Sequence, residues 1–232
     1  SKLAANAMLA QRISSVNAFS ALCEETGADI NEVTHVLGTD HRIGKYFLKA
    51  GPGFGGSCFK KDVLNLVYLC RSYGLDDCAD YWEQVVTMNE AQQRRIVSRT
   101  VRSMFNTLAG KRIALFGFAF KANTGDTRET PALTVANLLA EEHADIVVTD
   151  PKALPEAKKD LAHLNKVTLE PDPYAAAVGA DAILVMTEWA CYKDLDWQRI
   201  YASMRQPAML FDTRNILDHE ALKQMGFKVL AV

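Results

Sequence analysis

RIALFGFAF, residues Arg112 to Phe120, decides the fold. Its apolar residues run without alternation up to Gly117, the pattern of a strand buried on both faces. The same texture returns in DIVVTDP (Asp145–Pro151), DAILVMTE (Asp181–Glu188), PAMLFDTR (Pro207–Arg214) and KVLAV (Lys228–Val232). Helical segments separate these runs: Pro131 to Glu141, DWQRIYASM (Asp196–Met204) and HEALKQMG (His219–Gly226). Strands alternating with helices imply a parallel sheet covered on both faces, a doubly wound domain whose ligand sits at the C-terminal strand ends.

Upstream of Gly110 the texture is helical. SKLAANAMLAQRISSVNAFSALCEETG (Ser1–Gly27) places Leu3, Met8 or Leu9, Ile13, Val16 and Phe19 or Leu22 at helical spacing, which predicts one buried stripe ending at Gly27. A short helix from Ile30 to Leu37 follows, and helical periodicity resumes in CFKKDVLNLVYLCRSYG (Cys58–Gly74) and from Asp80 to Asn106. Between them TDHRIGKYFLKAGPGFGGS (Thr39–Ser57) holds five glycines and a proline, the composition of a loop wrapped around something. The expected fold class is α/β: an all-helical domain over residues 1–109, then a doubly wound, Rossmann-like parallel-sheet domain over residues 110–232.

The 232 residues are 49% apolar and 23% charged, which excludes disordered and fibrous classes. A formal charge of −2 gives no electrostatic reason to expect nucleic acid or an anionic membrane as partner. No apolar run reaches the ~18 residues of a membrane-spanning helix, and nothing resembles a signal peptide, so a cytoplasmic protein is expected. Ser1 enters what reads as a helix interior, as in a piece of a longer chain. Five widely spaced cysteines without a CxxC pair suit a reducing compartment and predict neither disulfide framework nor metal site.

GPGFGG (Gly51–Gly56) matches G-x-G-x-x-G, but a dinucleotide fingerprint must follow a strand, and here the flanks are helical. The glycines lead instead into Ser57 and Cys58 at the start of a helix, with Lys60, Lys61 and Asp62 in its first turn. Helix N-termini and nearby cations favour a thiolate, which makes Cys58 the best nucleophile candidate. Asp62, four residues on, projects from the same face. By spacing alone, a core cysteine beside a solvated carboxylate fits equally well. Cys23, Cys70, Cys78 and Cys191 read as structural.

A second constellation follows the first strand, where FGFAFKANTGDTRET places Lys121 and Arg128 in a loop at the sheet edge. Arg214, in FDTRN, ends a later strand on the same edge. Cations there suit phosphate or diphosphate, with ordinary surface charge as the bland alternative. In the first helix Lys2 and Asn6 share a face and could hold an oxyanion or a sugar hydroxyl. Arg42 and Lys49 flank the glycine loop.

Four motifs, SKLAANA (Ser1–Ala7), FLKAGPGFGGSCFKKDVLNL (Phe47–Leu66), FGFAFKANTGDTRE (Phe116–Glu129) and FDTRNIL (Phe211–Leu217), resemble the UDP-glucose 6-dehydrogenase family of nucleotide-sugar dehydrogenases. GFGGSC followed by KD is the most specific of them. The resemblance implies an enzyme of three parts: an N-terminal Rossmann domain for NAD, a dimerising helical centre and a C-terminal Rossmann-like domain for the UDP-sugar. This chain matches the last two. It further implies two successive NAD-dependent oxidations of UDP-glucose at C6, giving UDP-glucuronate. Carried over by motif, Cys58 attacks the C6 aldehyde, Asp62 serves proton transfer or water activation, and Lys2 with Asn6 steady the oxyanion. Lys49, Ala50, Gly51, Pro52, Gly53, Phe54 and Gly55 wrap the sugar nucleotide, with Lys121 and Arg214 as further contacts. Arg42 reaches a neighbouring subunit's site in a homodimer or larger assembly. Cys58, Phe59, Lys60, Lys61 and Arg128 face the NAD.

The family's N-terminal glycine fingerprint, glutamate and threonine fall outside this chain, so the chain alone is expected not to complete a turnover. GDTRE after Lys121 resembles the UDP-glucose branch more than relatives acting on GDP-mannose or UDP-N-acetylmannosamine. Two other readings remain: a nucleotide-sugar-binding and dimerisation module without chemistry, and an unrelated thiol enzyme built on Cys58.

Overall fold

A computed structural model describes residues 1–232. The chain forms two compact units, residues 1–93 together with Val232, and residues 94–231.

Unit 1 is built from α1 (Lys2–Thr26), α2 (Ile30–Thr39), α3 (Phe59–Ser72) and the first half of α4 (Asp76–Ser103). Gly27 ends α1 in the left-handed conformation at φ 74°, a geometry that costs glycine nothing. Asp29 caps α2 by accepting from Asn31 N. The buried face of α1 departs from the expected stripe. Ala7, Ala10, Ser14, Val16, Asn17, Ser20 and Cys23 are buried, whereas Met8 (53% exposed), Phe19 and Leu22 (62%) face outward. The reason is packing distance: α1 lies against α3, and small residues at a helix contact let the axes approach closely. The core there joins Ala7 and Ala10 to Phe54, Val63, Val85 and Val86, and Ser14 Oγ donates to Val85 O at 2.7 Å.

Unit 2 takes the second half of α4, followed by β1 (Arg112–Phe116), α5 (Pro131–Glu141), β2 (Asp145–Thr149), α6 (Leu154–Asp160), β3 (Val167–Leu169), α7 (Pro173–Ala177), β4 (Ala182–Val185), α8 (Trp197–Ser203), β5 (Met209–Asp212), α9 (His219–Met225) and β6 (Lys228–Ala231). The sheet is wholly parallel in the order β3-β2-β1-β4-β5-β6, the doubly wound arrangement read from the apolar runs. The order reverses between β1 and β4, and a crevice at that switch point is where such sheets bind ligands. β1, β4 and β5 are buried nearly throughout, which explains their unbroken apolar sequence.

Three short elements carry too little pattern to be read in advance: the edge strand β3, of three residues, and the helices α6 and α7. The textural change at residue 109 and the division into units also lie apart, because the end of α4 is tied to the sheet. Arg99 donates to Ala231 O at 2.7 Å and stacks its guanidinium 4.8 Å from the Phe211 ring. No helix is long and apolar enough to cross a membrane.

Candidate active site

In unit 1 the glycine segment is a buried strap. Residues 50–56 are buried, held by three helix amides. Asn17 Oδ1 on α1 accepts from Gly51 N at 2.9 Å, and Gln92 Nε2 on α4 donates to Gly51 O at 2.7 Å. Asn89, also on α4, binds both backbone groups of one residue: its Oδ1 accepts from Phe54 N (2.7 Å) and its Nδ2 donates to Phe54 O (3.2 Å). A buried loop must find partners for its backbone groups, and these amides supply them. Gly53 stands at φ +114°, and a Cβ there would lie 2.6 Å from Asn89 Oδ1, so that position admits only glycine. Sequence reading missed Asn17, Asn89 and Gln92; the available signal was polar amides recurring on otherwise core-facing helix positions.

The strap delivers the chain to Cys58, the exposed residue immediately ahead of α3. Ser57 Oγ lies 3.8 Å from its sulfur. One turn on, Asp62 N donates to Cys58 O at 2.8 Å, so thiol and carboxylate belong to the same helical turn. Asp62 is not a free surface carboxylate: Asn6 Nδ2 on α1 donates to Asp62 Oδ2 at 2.6 Å. Two residues separated by 56 positions are thereby joined, and Lys2 lies one turn from Asn6 on α1. Around them Phe59 stacks edge-on against Phe54 (5.9 Å between centroids) and Phe47 (6.3 Å). Lys60 pairs with Glu90 at 3.4 Å, while Lys49 and Lys61 are exposed.

Three arginines singled out from the sequence share one local device. Asp40-His41-Arg42, Asp126-Thr127-Arg128 and Asp212-Thr213-Arg214 each form a turn in which the aspartate Oδ1 accepts from the arginine backbone N–H, at 2.9, 3.0 and 3.1 Å. Arg42 and Arg128 then fold back so that Nε and Nη2 grip the same carboxylate. The Arg42 guanidinium holds the Asp40 carboxyl below the usual carboxylate range, and Arg128 does the same to Asp126. Both arginines are mostly exposed.

Arg214 behaves differently. It turns inward at the C-terminal edge of the sheet, with Nε donating to Met186 O (2.8 Å) and Nη2 to Phe120 O (3.1 Å). Its side chain is 16% exposed, and Glu188 Oε2 lies 3.2 Å from Nε. Burial pushes its pKa below the ordinary guanidinium value, against the pull of Glu188 and Asp212. Lys121 follows Phe120 directly and holds its ammonium 5.3 Å from that ring. The loops after β1, β4 and β5 thus meet around Arg214 at the switch point.

Two buried carboxylates fix those loops. Asp150, 3% exposed at the end of β2, accepts from Phe118 N, Ala119 N and Trp189 Nε1 through Oδ2 (2.7, 3.0 and 3.0 Å) and from Lys152 N and Ala153 N through Oδ1 (2.8 Å each). Asp212, fully buried, accepts from Ile216 N, Leu217 N and His219 Nε2 besides Arg214 N. Neither was read from the sequence as a site residue, although an acid directly after an apolar strand (VVTD, MLFD) was visible.

An exposed cysteine one helical turn from a carboxylate in a helical unit, and a doubly wound sheet with cations at its switch point, describe an α/β protein whose ligand crevice is expected at the C-terminal strand ends. Family models agree: residues 1–91 match the UDP-glucose/GDP-mannose dehydrogenase family, central domain, and residues 114–219 match the same family's UDP binding domain. The chain belongs to the UDP-glucose/GDP-mannose dehydrogenase family. It is 52% identical over its whole length to UDP-glucose 6-dehydrogenase of Drosophila melanogaster, covering 51% of that protein. Against the Gallus gallus UDP-glucose 6-dehydrogenase it is 51% identical over 99% of its length, covering 49% of that protein. A UDP-glucose dehydrogenase structure from Pyrobaculum islandicum superposes with a TM-score of 0.85 at 31% identity, covering all of this chain and 49% of that one. The chain therefore spans about half the length of the relatives it matches.

Proposed function

We propose that this chain is the substrate-side half of an NAD-dependent UDP-glucose 6-dehydrogenase that converts UDP-glucose to UDP-glucuronate in two oxidations. The single observation that supports this reading is the Asn6–Asp62 hydrogen bond, which ties an amide of α1 to the carboxylate one turn beyond Cys58. The Cys58 thiolate adds to the C6 aldehyde of the half-oxidised sugar, forming a C–S bond while the carbonyl oxygen becomes an alkoxide. Lys2 and Asn6 stabilise that oxyanion. After the second oxidation a thioester remains on Cys58, and Asp62 accepts a proton from the water that cleaves it. Asn6 keeps Asp62 turned toward this task.

NAD, when bound, supplies the hydride acceptor for both oxidations. The residues present fit it only in part. The loop after β1 reads Gly117-Phe118-Ala119-Phe120-Lys121 and lacks the glycine turn that a dinucleotide pyrophosphate requires, so this chain offers only side contacts through Phe59, Lys60, Lys61 and Arg128. On unit 2, Lys121 and Arg214 hold the diphosphate of the UDP-sugar. Arg42, exposed and splayed on Asp40, is available to a neighbouring subunit, and Phe19, Leu22, Val36, Tyr68 and Tyr73 supply exposed apolar area for self-association.

Titration calorimetry with UDP-glucose, UDP-glucuronate, GDP-mannose and NAD in parallel tests the reading. Binding of the two UDP-sugars with GDP-mannose excluded is expected; preference for GDP-mannose would reassign the substrate, and no binding of any sugar nucleotide would remove it. The nucleophile is tested separately by timed iodoacetamide alkylation with peptide mass spectrometry. Cys58 is expected to react ahead of buried Cys23 and of Cys191, whose thiol burial pushes up. Labelling of Cys58 no faster than the other four would remove the nucleophile assignment.

A further inference from the structure

Glu188 occupies a position that neither the phosphate cradle nor the loop architecture requires of a carboxylate. It follows β4 and bridges to the β1 loop by accepting from Ala122 N through Oε1 at 3.3 Å. Its other oxygen, Oε2, lies 3.2 Å from Arg214 Nε yet accepts no hydrogen bond, because that N–H is directed at Met186 O. Arg214 is already anchored by two backbone carbonyls, Met186 O and Phe120 O, and does not depend on Glu188 for its orientation. The carboxylate therefore contributes charge beside the cation, with little positional constraint. Around Arg214, Lys121 and Arg214 attract an anion and Glu188 opposes it; Asp126, within electrostatic reach of Lys121, is gripped by Arg128, and Asp212 is already engaged by four donors.

We propose that Glu188 is a specificity-determining residue that sets the charge selectivity of this crevice, tempering its hold on anions so that a diphosphate esterified at both ends is favoured over one with a free terminal phosphate. The inference rests on the reading of unit 2 as the nucleotide-sugar site. A terminal phosphate has a second ionisation near pH ~6 and so carries an extra charge at neutral pH, which esterification by a sugar removes. Free UDP thus brings close to three charges and a UDP-sugar two. Repulsion by a fixed carboxylate grows in proportion to ligand charge, so Glu188 discriminates against the nucleoside diphosphate and its removal benefits that ligand most.

Glu188→Gln tests this with little structural change, since the glutamine carbonyl can still accept from Ala122 N. Dissociation constants of UDP-glucose and UDP are measured by calorimetry for the 232-residue chain and the variant, at low and at high ionic strength. At low salt UDP-glucose is expected to bind about tenfold more tightly to the variant and UDP about thirtyfold, both gains shrinking as salt screens the charge. A loss of discrimination between the two ligands is the decisive signature, because a purely structural role would move both constants alike. Binding by both proteins with an unchanged ratio, or weaker binding by the variant, would overturn the role of Glu188 and leave the nucleotide-sugar reading standing. Absence of binding by both proteins would overturn that reading and the inference together.

Discussion

Gly117→Ala is expected to destabilise unit 2 by about 4 kcal/mol. Gly117 stands at φ +100°, where an L side chain is strained, and it is the first residue beyond β1. A Cβ there would meet Thr187 Cβ at 2.4 Å, Oγ1 at 2.5 Å and, decisively, the Thr187 backbone N at 2.7 Å. The Thr187 hydroxyl cannot swing aside freely, because it donates to Ala119 O at 2.6 Å in a buried setting. Relief requires β1 and β4 to part at their C-terminal ends, where Phe116 O accepts from Met186 N at 2.8 Å. About 1–2 kcal/mol is assigned to the left-handed backbone and the remainder to displaced packing. Urea denaturation followed by tryptophan fluorescence resolves the loss, since Trp189 and Trp197 report on unit 2 and Trp82 on unit 1. A shift of less than about 1 kcal/mol would show that the strand ends yield easily and that the close approach does not define the crevice.

Asp150→Ala is expected to cost about 3 kcal/mol and to loosen the same edge by another route. Four backbone N–H groups and the Trp189 indole lose their acceptor at once. Each buried orphan donor costs about 1 kcal/mol or more, partly offset because a carboxylate no longer needs to be buried. Asp150→Asn should recover less than half of the loss, since its amide keeps one good acceptor and turns an NH2 toward donors. Because Trp189 Nε1 bonds Asp150 directly, its emission should change in the folded variant before any unfolding. An Asp150→Ala protein as stable as the parent, with unaltered emission, would mean that water replaces the carboxylate and that the loops hold themselves.

Both substitutions act on the loops whose carbonyls, Phe120 O and Met186 O, hold Arg214, so each should also weaken UDP-sugar binding while leaving Cys58 alkylation unchanged. The separation follows from the architecture. Cys58 is positioned by the strap and α3 within residues 1–93, and Lys121 and Arg214 by loops within residues 94–231.

The elements that the sequence determined by itself are those whose cause is local. Unbroken apolar runs such as RIALF and AILV required strands buried on both faces, and Gly27 and Pro131 marked a helix end and a helix start. The glycines before Cys58, and the acid four residues after it, likewise belong to neighbouring chain. What only the tertiary structure decided depends on residues far apart in sequence. Burial on α1 went to Ala7, Ala10 and Ser14 instead of Met8 and Leu22, because helix packing distance, and not hydrophobicity alone, selects the inner face. The Asn6–Asp62 bond, the grip of Asn89 on Phe54 and the placing of Glu188 beside Arg214 arise only when separate elements pack together. A pattern of spacing encodes which face of one element is apolar, but the partner that faces it is set by the fold as a whole.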